Sequence, residues 1–137
     1  MQHRQTMPSR WLIADERLGD RLWSAAERLP AGSGIVVLHH RLRARERSRL
    51  LIRLRRIARR RKLLLLDESK GEAARVHDAR EIGAARLRGA RLLLVSPLFA
   101  TRSHPGIRPL PRMRAAALAR LAGKPIALGG MNEQRLR

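Results

Sequence analysis

Short runs of consecutive apolar residues alternate along this chain with longer stretches in which apolar residues recur at helical spacing. The runs WLIA, GIVVL, LLLL, RLLLV and KPIAL are each short enough for a buried strand. A further, weaker strand is predicted around residues 75–77. Unbroken apolar strands that alternate with helices are typical of a parallel sheet covered by helices. The pattern therefore predicts an α/β fold with five or six parallel strands.

Four stretches between or after these runs have the periodicity of amphipathic helices. In the third stretch, Asp78 with Glu81 three residues later resembles a capping box, and Gly89 is a typical helix stop. We expect each helix to pack one apolar stripe on the sheet. The residues predicted to face inward are Leu22, Ala26 and Leu29 in the first helix, Leu50, Leu54, Ile57 and Ala58 in the second, and Met113, Ala117 and Leu121 in the fourth.

Length and composition fit one soluble domain. At 137 residues the chain is long enough for a core, and we expect a tail over residues 1–10 and a single domain over 11–137. An aromatic content of 2% means that the core has to be aliphatic. The absence of cysteine excludes disulfides and thiolate metal sites. Because no run has the ~20 apolar residues of a membrane span and no signal peptide is recognisable, we expect a cytoplasmic protein without membrane contact.

The formal charge of +20 raises the question of nucleic-acid binding. Basic residues are spread from Arg4 to Arg137, which favours solvated helix faces over a dedicated binding tail. The densest region is 41–62, where eleven arginines and one lysine stand against a single acid, Glu46. An arginine-rich helix can dock on phosphates, but aromatic side chains for base stacking are nearly absent. Nucleic-acid binding is therefore the competing hypothesis and not the favoured one.

Groups suited to binding phosphate follow several predicted strands. Carboxyl ends of parallel strands meet at one edge, where α/β proteins place their chemistry. Hydroxyls and guanidinium groups donate hydrogen bonds to phosphate oxygens, a glycine pair lets backbone amides approach an anion, and a carboxylate can hold Mg²⁺. The candidates are Arg41, Asp67, Thr101, Ser103, Gly129 and Gly130.

Two segments carry a resemblance to a known family. LLVSPLFATRSHPGIRPL followed by GKPIALGGMN resembles the signature of the thiamine-phosphate synthase and thiazole tautomerase family, and weaker matches extend the resemblance over residues 10–133. The family has a (β/α) barrel with eight strands, and it joins an aminopyrimidine methyl pyrophosphate to a thiazole phosphate with Mg²⁺ and release of pyrophosphate. The resemblance implies pyrophosphate binding by Arg41, Thr101 and Ser103, phosphate binding by Gly129 and Gly130, and metal binding by Asp67. It implies no catalytic nucleophile.

The chain departs from that family in length and in several residues. Such barrels have about 200–250 residues, whereas this chain has 137. His39 stands in place of a family arginine, Leu66 in place of an asparagine and His104 in place of a lysine. We therefore expect an incomplete barrel whose open strand edges a second copy of the chain could cover. The hypotheses are a divergent synthase, which would be a transferase acting on small phosphate esters, a related phosphate-ligand binder or tautomerase, and an inactive relative.

Overall fold

A computed structural model describes residues 6–96, 106 and 108–127 of the chain. Residue contacts divide the chain into two compact units, Met1–Ser69 and Lys70–Arg137. Short 3₁₀ turns at Glu16–Leu18 and Glu68–Lys70 follow the first and third strands. The strands are Trp11–Ala14 (β1), Gly34–Val37 (β2), Leu64–Asp67 (β3), Ala73–Val76 (β4), Leu92–Val95 (β5) and Ile126–Ala127 (β6). The helices are Arg21–Arg28 (α1), Ala44–Arg61 (α2), Ala79–Leu87 (α3) and Arg112–Ala122 (α4).

The first unit contains a parallel sheet in the order β1-β2-β3. Trp11 pairs with Gly34, and Val37 pairs with Asp67, so the three strands end at the same edge. Glycine is required opposite Trp11, because a Cβ on residue 34 would lie 2.4 Å from the indole ring. The sheet face that carries Ile35 and Val37 packs against both α1 and α2. The carboxyl edge of this sheet is therefore bordered by the turns that lead into helices.

The core of the first unit is aliphatic, as the composition predicts. In α2 the buried residues are Leu51, Leu54, Ile57 and Ala58, while Leu50 is only partly buried. The predicted stripe is therefore confirmed, since Leu50 also packs against this core, and Leu51 is buried in addition. Leu54 is fully buried, and truncating such a side chain to alanine costs about 2–5 kcal/mol.

The second unit contains a parallel sheet in the order β4-β5-β6. Val76 pairs with Val95, which in turn pairs with Ala127. Helix α3 begins as predicted: the Asp78 side chain accepts a hydrogen bond of 2.8 Å from the Glu81 amide. The helix is followed by a glycine at position 89 with φ of 88°, a conformation that favours glycine.

The predicted inner face of α4 is wrong. Met113 is 84% exposed and Leu121 is 47% exposed, whereas Leu118 is buried against β5 and α3. Alanines fill five of the eleven positions of this helix, so more than one apolar stripe was available in the sequence. The packed stripe runs through Leu118 and Ala122, which lie one helical turn apart.

The prediction of an α/β fold with parallel strands is confirmed, and all six predicted strands are present. Within residues 6–96, 106 and 108–127 the strands form two separate three-stranded sheets and no closed barrel. None of the helices in the described part of the chain is long and apolar enough to cross a bilayer. The assignment of a tail over 1–10 and one domain over 11–137 stays a prediction.

Candidate functional site

The carboxyl edge of the first sheet gathers polar side chains from three strand ends. Asp15 and Glu16 follow β1, the segment 39–41 follows β2, and Asp67 ends β3. Asp15 accepts a hydrogen bond of 3.0 Å from the Arg17 amide and forms an ion pair of 2.6 Å with the Arg17 guanidinium. This ion pair raises the pKa of Arg17 above its ordinary value. Asp15 therefore caps the N-terminus of the 3₁₀ turn Glu16–Leu18.

Arg47 of α2 connects two of these strand ends. Its guanidinium donates to the backbone carbonyl of His39, to the carboxylate of Asp67, and to the hydroxyl of Ser69 at 3.0 Å. The side chains of Arg47 and Asp67 are 17% and 4% exposed. Sequence reasoning missed this residue. The signal was its position four residues before Leu51, which places a cation on the buried stripe of the helix.

The carboxylate of Asp67 is engaged within the protein. Besides the Arg47 contact, its Oδ1 accepts hydrogen bonds of 2.9 Å from the Ser69 amide and 2.8 Å from the Ser69 hydroxyl. A divalent cation at Asp67 would have to compete with the guanidinium that already compensates its charge. Among the described residues no three acidic or imidazole side chains lie together as a metal site. The assignment of Mg²⁺ to Asp67 therefore stays a prediction.

Glu16 binds the backbone amides at the end of β2. Its Oε1 accepts hydrogen bonds of 2.6 Å from the amide of His40 and 2.8 Å from the amide of Arg41. Partial burial opposes ionisation of Glu16, but these two amides and the nearby His39 outweigh it and lower the pKa of Glu16 to about 2. An internal carboxylate thus occupies donors that a bound anion could otherwise use. Sequence reasoning missed Glu16, although an acid directly after a strand was the available signal.

Arg41 keeps its side chain exposed after β2. Because the amide of Arg41 is committed to Glu16, the guanidinium is the group with which this residue could meet a ligand. The structure places Arg41 and Asp67 at the same edge of the first sheet. Of the six predicted site residues, these are the two that lie within the described part of the chain.

A cavity of about 260 Å³ lies at this edge, lined by Val37, His39, His40, Arg47, Glu68 and Ser69. The imidazole of His40 lies 3.3 Å from the Glu68 carboxylate. His39 is 8% exposed, and its Nδ1 makes no hydrogen bond with any residue in the described ranges. Burial lowers the pKa of His39 despite the opposing attraction of Glu16 and Asp15. The cavity is smaller than the ~300–1,000 Å³ of most ligand pockets.

The two sequence segments that resemble the synthase family include β5 and β6, the neighbouring strands of the second sheet. The last residues of β5 and β6, Val95 and Ala127, pair directly, so the chain leaves both strands at the same edge. Neighbouring strands lie about 4.8 Å apart. The predicted phosphate-binding residues Thr101, Ser103, Gly129 and Gly130 lie outside the described residues.

Comparisons with protein-family models, with curated proteins and with solved structures find no match to this chain. What the protein does has to be inferred from its own residues and geometry. The two strand edges offer different chemistry. At the first edge the acids Glu16 and Asp67 have internal partners, and the second edge leads into the hydroxyl-bearing and glycine-bearing segments.

Proposed function

We propose that the chain binds a small-molecule phosphate ester at the carboxyl ends of β5 and β6 and acts as a transferase of the thiamine-phosphate synthase type. The observation that supports this proposal is the direct pairing of Val95 with Ala127. Because of this pairing, the segment bearing Thr101 and Ser103 and the segment bearing the Gly129–Gly130 pair leave the sheet from adjacent positions. Donors on two adjacent segments suit a ligand with two anionic groups.

The proposed chemistry is electrostatic. In a displacement of pyrophosphate, negative charge grows on the leaving group, and prepositioned donors lower the barrier by stabilising that charge. The hydroxyls of Thr101 and Ser103 would donate to the pyrophosphate, and the amides of Gly129 and Gly130 would hold the phosphate of the acceptor. The assignment of Arg41 to pyrophosphate binding stays a prediction. No step in this scheme requires a nucleophilic side chain, and none passes through a metal ion.

The fold part of the proposal is an incomplete (β/α) barrel. Parallel strands in sequential order with one covering helix after a strand are found both in (β/α) barrels and in halves of doubly wound sheets. The sequences that follow β5 and β6 favour the barrel, because they are where the resemblance to the synthase family is most specific. Open strand edges would then be covered by a second copy of the chain.

A titration with pyrophosphate and inorganic phosphate tests the site. The double variant Thr101→Ala/Ser103→Ala should weaken pyrophosphate binding about tenfold or more, since each lost hydrogen bond to a charged group is worth about 1.5–3 kcal/mol. The matched control is Ser24→Ala/Ser48→Ala, which removes two hydroxyls from exposed helix positions and should leave binding unchanged. Absence of saturable pyrophosphate binding, or equal weakening by both double variants, would overturn the proposal.

A second measurement separates the enzyme from its binding-only alternative. The purified chain is mixed with aminopyrimidine methyl pyrophosphate and thiazole phosphate, with and without Mg²⁺, and thiamine phosphate is measured. Formation of product that is lost in Thr101→Ala/Ser103→Ala supports the transferase. Saturable pyrophosphate binding with no product in either buffer rejects the transferase and leaves a phosphate-ligand binder.

A further inference from the structure

The outer face of α2 carries a row of exposed arginines. Arg45, Arg49, Arg56 and Arg59, here called the outer row, are spaced so that all four lie on the same side of the helix, with the half-exposed Ile52 between them. The buried residues of α2 lie on the opposite side. At 1.5 Å per residue the row extends over about 21 Å.

Other arginines of α2 have interaction partners within the fold, in contrast to the outer row. Besides Arg47, which contacts the ends of β2 and β3, three other arginines of α2 contact groups within the first unit. Their partners are the Trp23 ring at 3.8 Å for Arg53, the Glu27 carboxylate for Arg60, and the Leu29 carbonyl at 3.0 Å for Arg61. In the described part of the chain no ion pair or side-chain hydrogen bond engages the outer row.

The outer row weakens the helix that carries it. Arg45 and Arg49 are a like-charge pair at i and i+4, which destabilises a helix. Arg45 also lies in the first turn, where the helix dipole disfavours a cation. The one acid within α2 is Glu46, and its carboxylate accepts a hydrogen bond from the amide of Arg43. Uncompensated charge that the fold does not use is suited to a polyanionic partner.

We propose that the outer row binds the phosphate backbone of duplex DNA without regard to sequence. The α-helix is about 10–12 Å wide with its side chains, and the major groove of B-DNA, about 12 Å wide, admits such a helix. A-form RNA has a deep and narrow major groove that does not. The apolar member of the face is Ile52, so the face offers no ring for stacking single-stranded bases.

The composition of the face explains why contact with phosphates, and not with base edges, is proposed. Arginine side chains donate to phosphate oxygens, and such contacts position a protein without reading sequence. A surface cavity of about 390 Å³ lies among Ile52, Arg55, Arg56, Arg59 and Arg60. Its rim of guanidinium groups could surround one phosphate while Ile52 contacts the sugar.

Fluorescence anisotropy with a labelled 24-base-pair duplex of mixed sequence tests the proposal on the full chain. Between 50 and 200 mM salt, four phosphate contacts should weaken binding about 10²-fold. Replacing the outer row by glutamine should weaken binding at 50 mM about tenfold or more and reduce the slope of log K against log salt by about four. Replacing it by lysine keeps the charge and should largely preserve binding. The matched control has the same charge change at exposed arginines elsewhere, as Arg28→Gln, Arg80→Gln, Arg88→Gln and Arg114→Gln.

The control variants distinguish DNA binding by the outer row from binding that depends only on the net positive charge of the protein. Equal loss in the outer-row and control variants would show that net charge alone drives binding and would overturn the proposal. Tighter binding to duplex RNA, to single-stranded DNA or to vesicles with anionic lipid than to duplex DNA would overturn it as well. Circular dichroism checks that each variant keeps its helices. The outer row is not among the residues proposed for pyrophosphate, so pyrophosphate titration of the outer-row variant should match wild type whatever the DNA result.

Discussion

Arg47→Met is the substitution for which the structure predicts the largest effect at the first sheet edge. The guanidinium of Arg47 contacts the His39 carbonyl, the Asp67 carboxylate and the Ser69 hydroxyl, and thereby joins α2 to the ends of β2 and β3. Methionine preserves most of the aliphatic stem and removes the charge. The variant therefore leaves the Asp67 carboxylate, which is 4% exposed, without its cation.

The expected magnitude follows from burial. Removing one partner of a buried ion pair destabilises a protein by about 3–5 kcal/mol. Because Arg47 is 17% exposed and Asp67 keeps two hydrogen bonds from Ser69, we expect a loss near the lower end, about 3 kcal/mol. Asp67→Asn keeps an acceptor oxygen and should cost about 1–2 kcal/mol. The double variant removes both charges and should cost about 1–2 kcal/mol less than the sum of the single variants.

Urea unfolding followed by tryptophan fluorescence measures this loss. Both tryptophans, Trp11 and Trp23, belong to the first unit, so the signal reports on the unit that contains the ion pair. Arg49→Met on the exposed side of α2 is the matched control and should change the free energy of unfolding by less than about 0.5 kcal/mol. A loss below about 1 kcal/mol for Arg47→Met, with no coupling in the double-mutant cycle, would refute the reasoning.

Two further predictions concern the same unit. Glu16→Gln should destabilise the fold by about 1–2 kcal/mol at pH 7. Since the pKa of Glu16 is lowered to about 2 in the fold, this stabilisation is complete above the unfolded pKa of about 4.5 and fades as pH falls towards 2; wild-type and variant unfolding energies should converge over that range, and a constant difference would contradict the assigned pKa. Gly34→Ala should cost about 1–3 kcal/mol, because its Cβ would collide with the Trp11 ring. Unfolding by urea measures this loss, and a Trp11→Leu background, which removes the collision, should reduce it.

Five of the strands could be predicted from the sequence because each contains a short apolar run, and a buried parallel strand needs nothing else; β4, which contains Arg75, gave a weaker signal. The inner face of α4 could not be predicted from the sequence. In RMRAAALARLA several stripes have similar hydrophobicity, and the phase was decided by where Leu118 meets β5 and α3. That contact is tertiary, so local periodicity carried no information about it. The burial of Leu51, beside the predicted Leu50, likewise depends on tertiary packing of α2.

Two contacts at the first sheet edge could not be predicted from local sequence, because they join residues that are far apart along the chain. Asp67 has the sequence context of a metal ligand at a strand end, and only the fold brings Arg47, twenty residues earlier, against its carboxylate. Glu16 likewise reaches the amides of residues 40 and 41 across β1 and β2. Both carboxylates therefore have donors within the first unit, and a divalent cation at Asp67 would have to share that carboxylate with the Arg47 guanidinium. The cost of displacing Arg47 would therefore weaken Mg²⁺ binding at Asp67, and the phosphate site proposed after β5 and β6 is the place to test for ligand first.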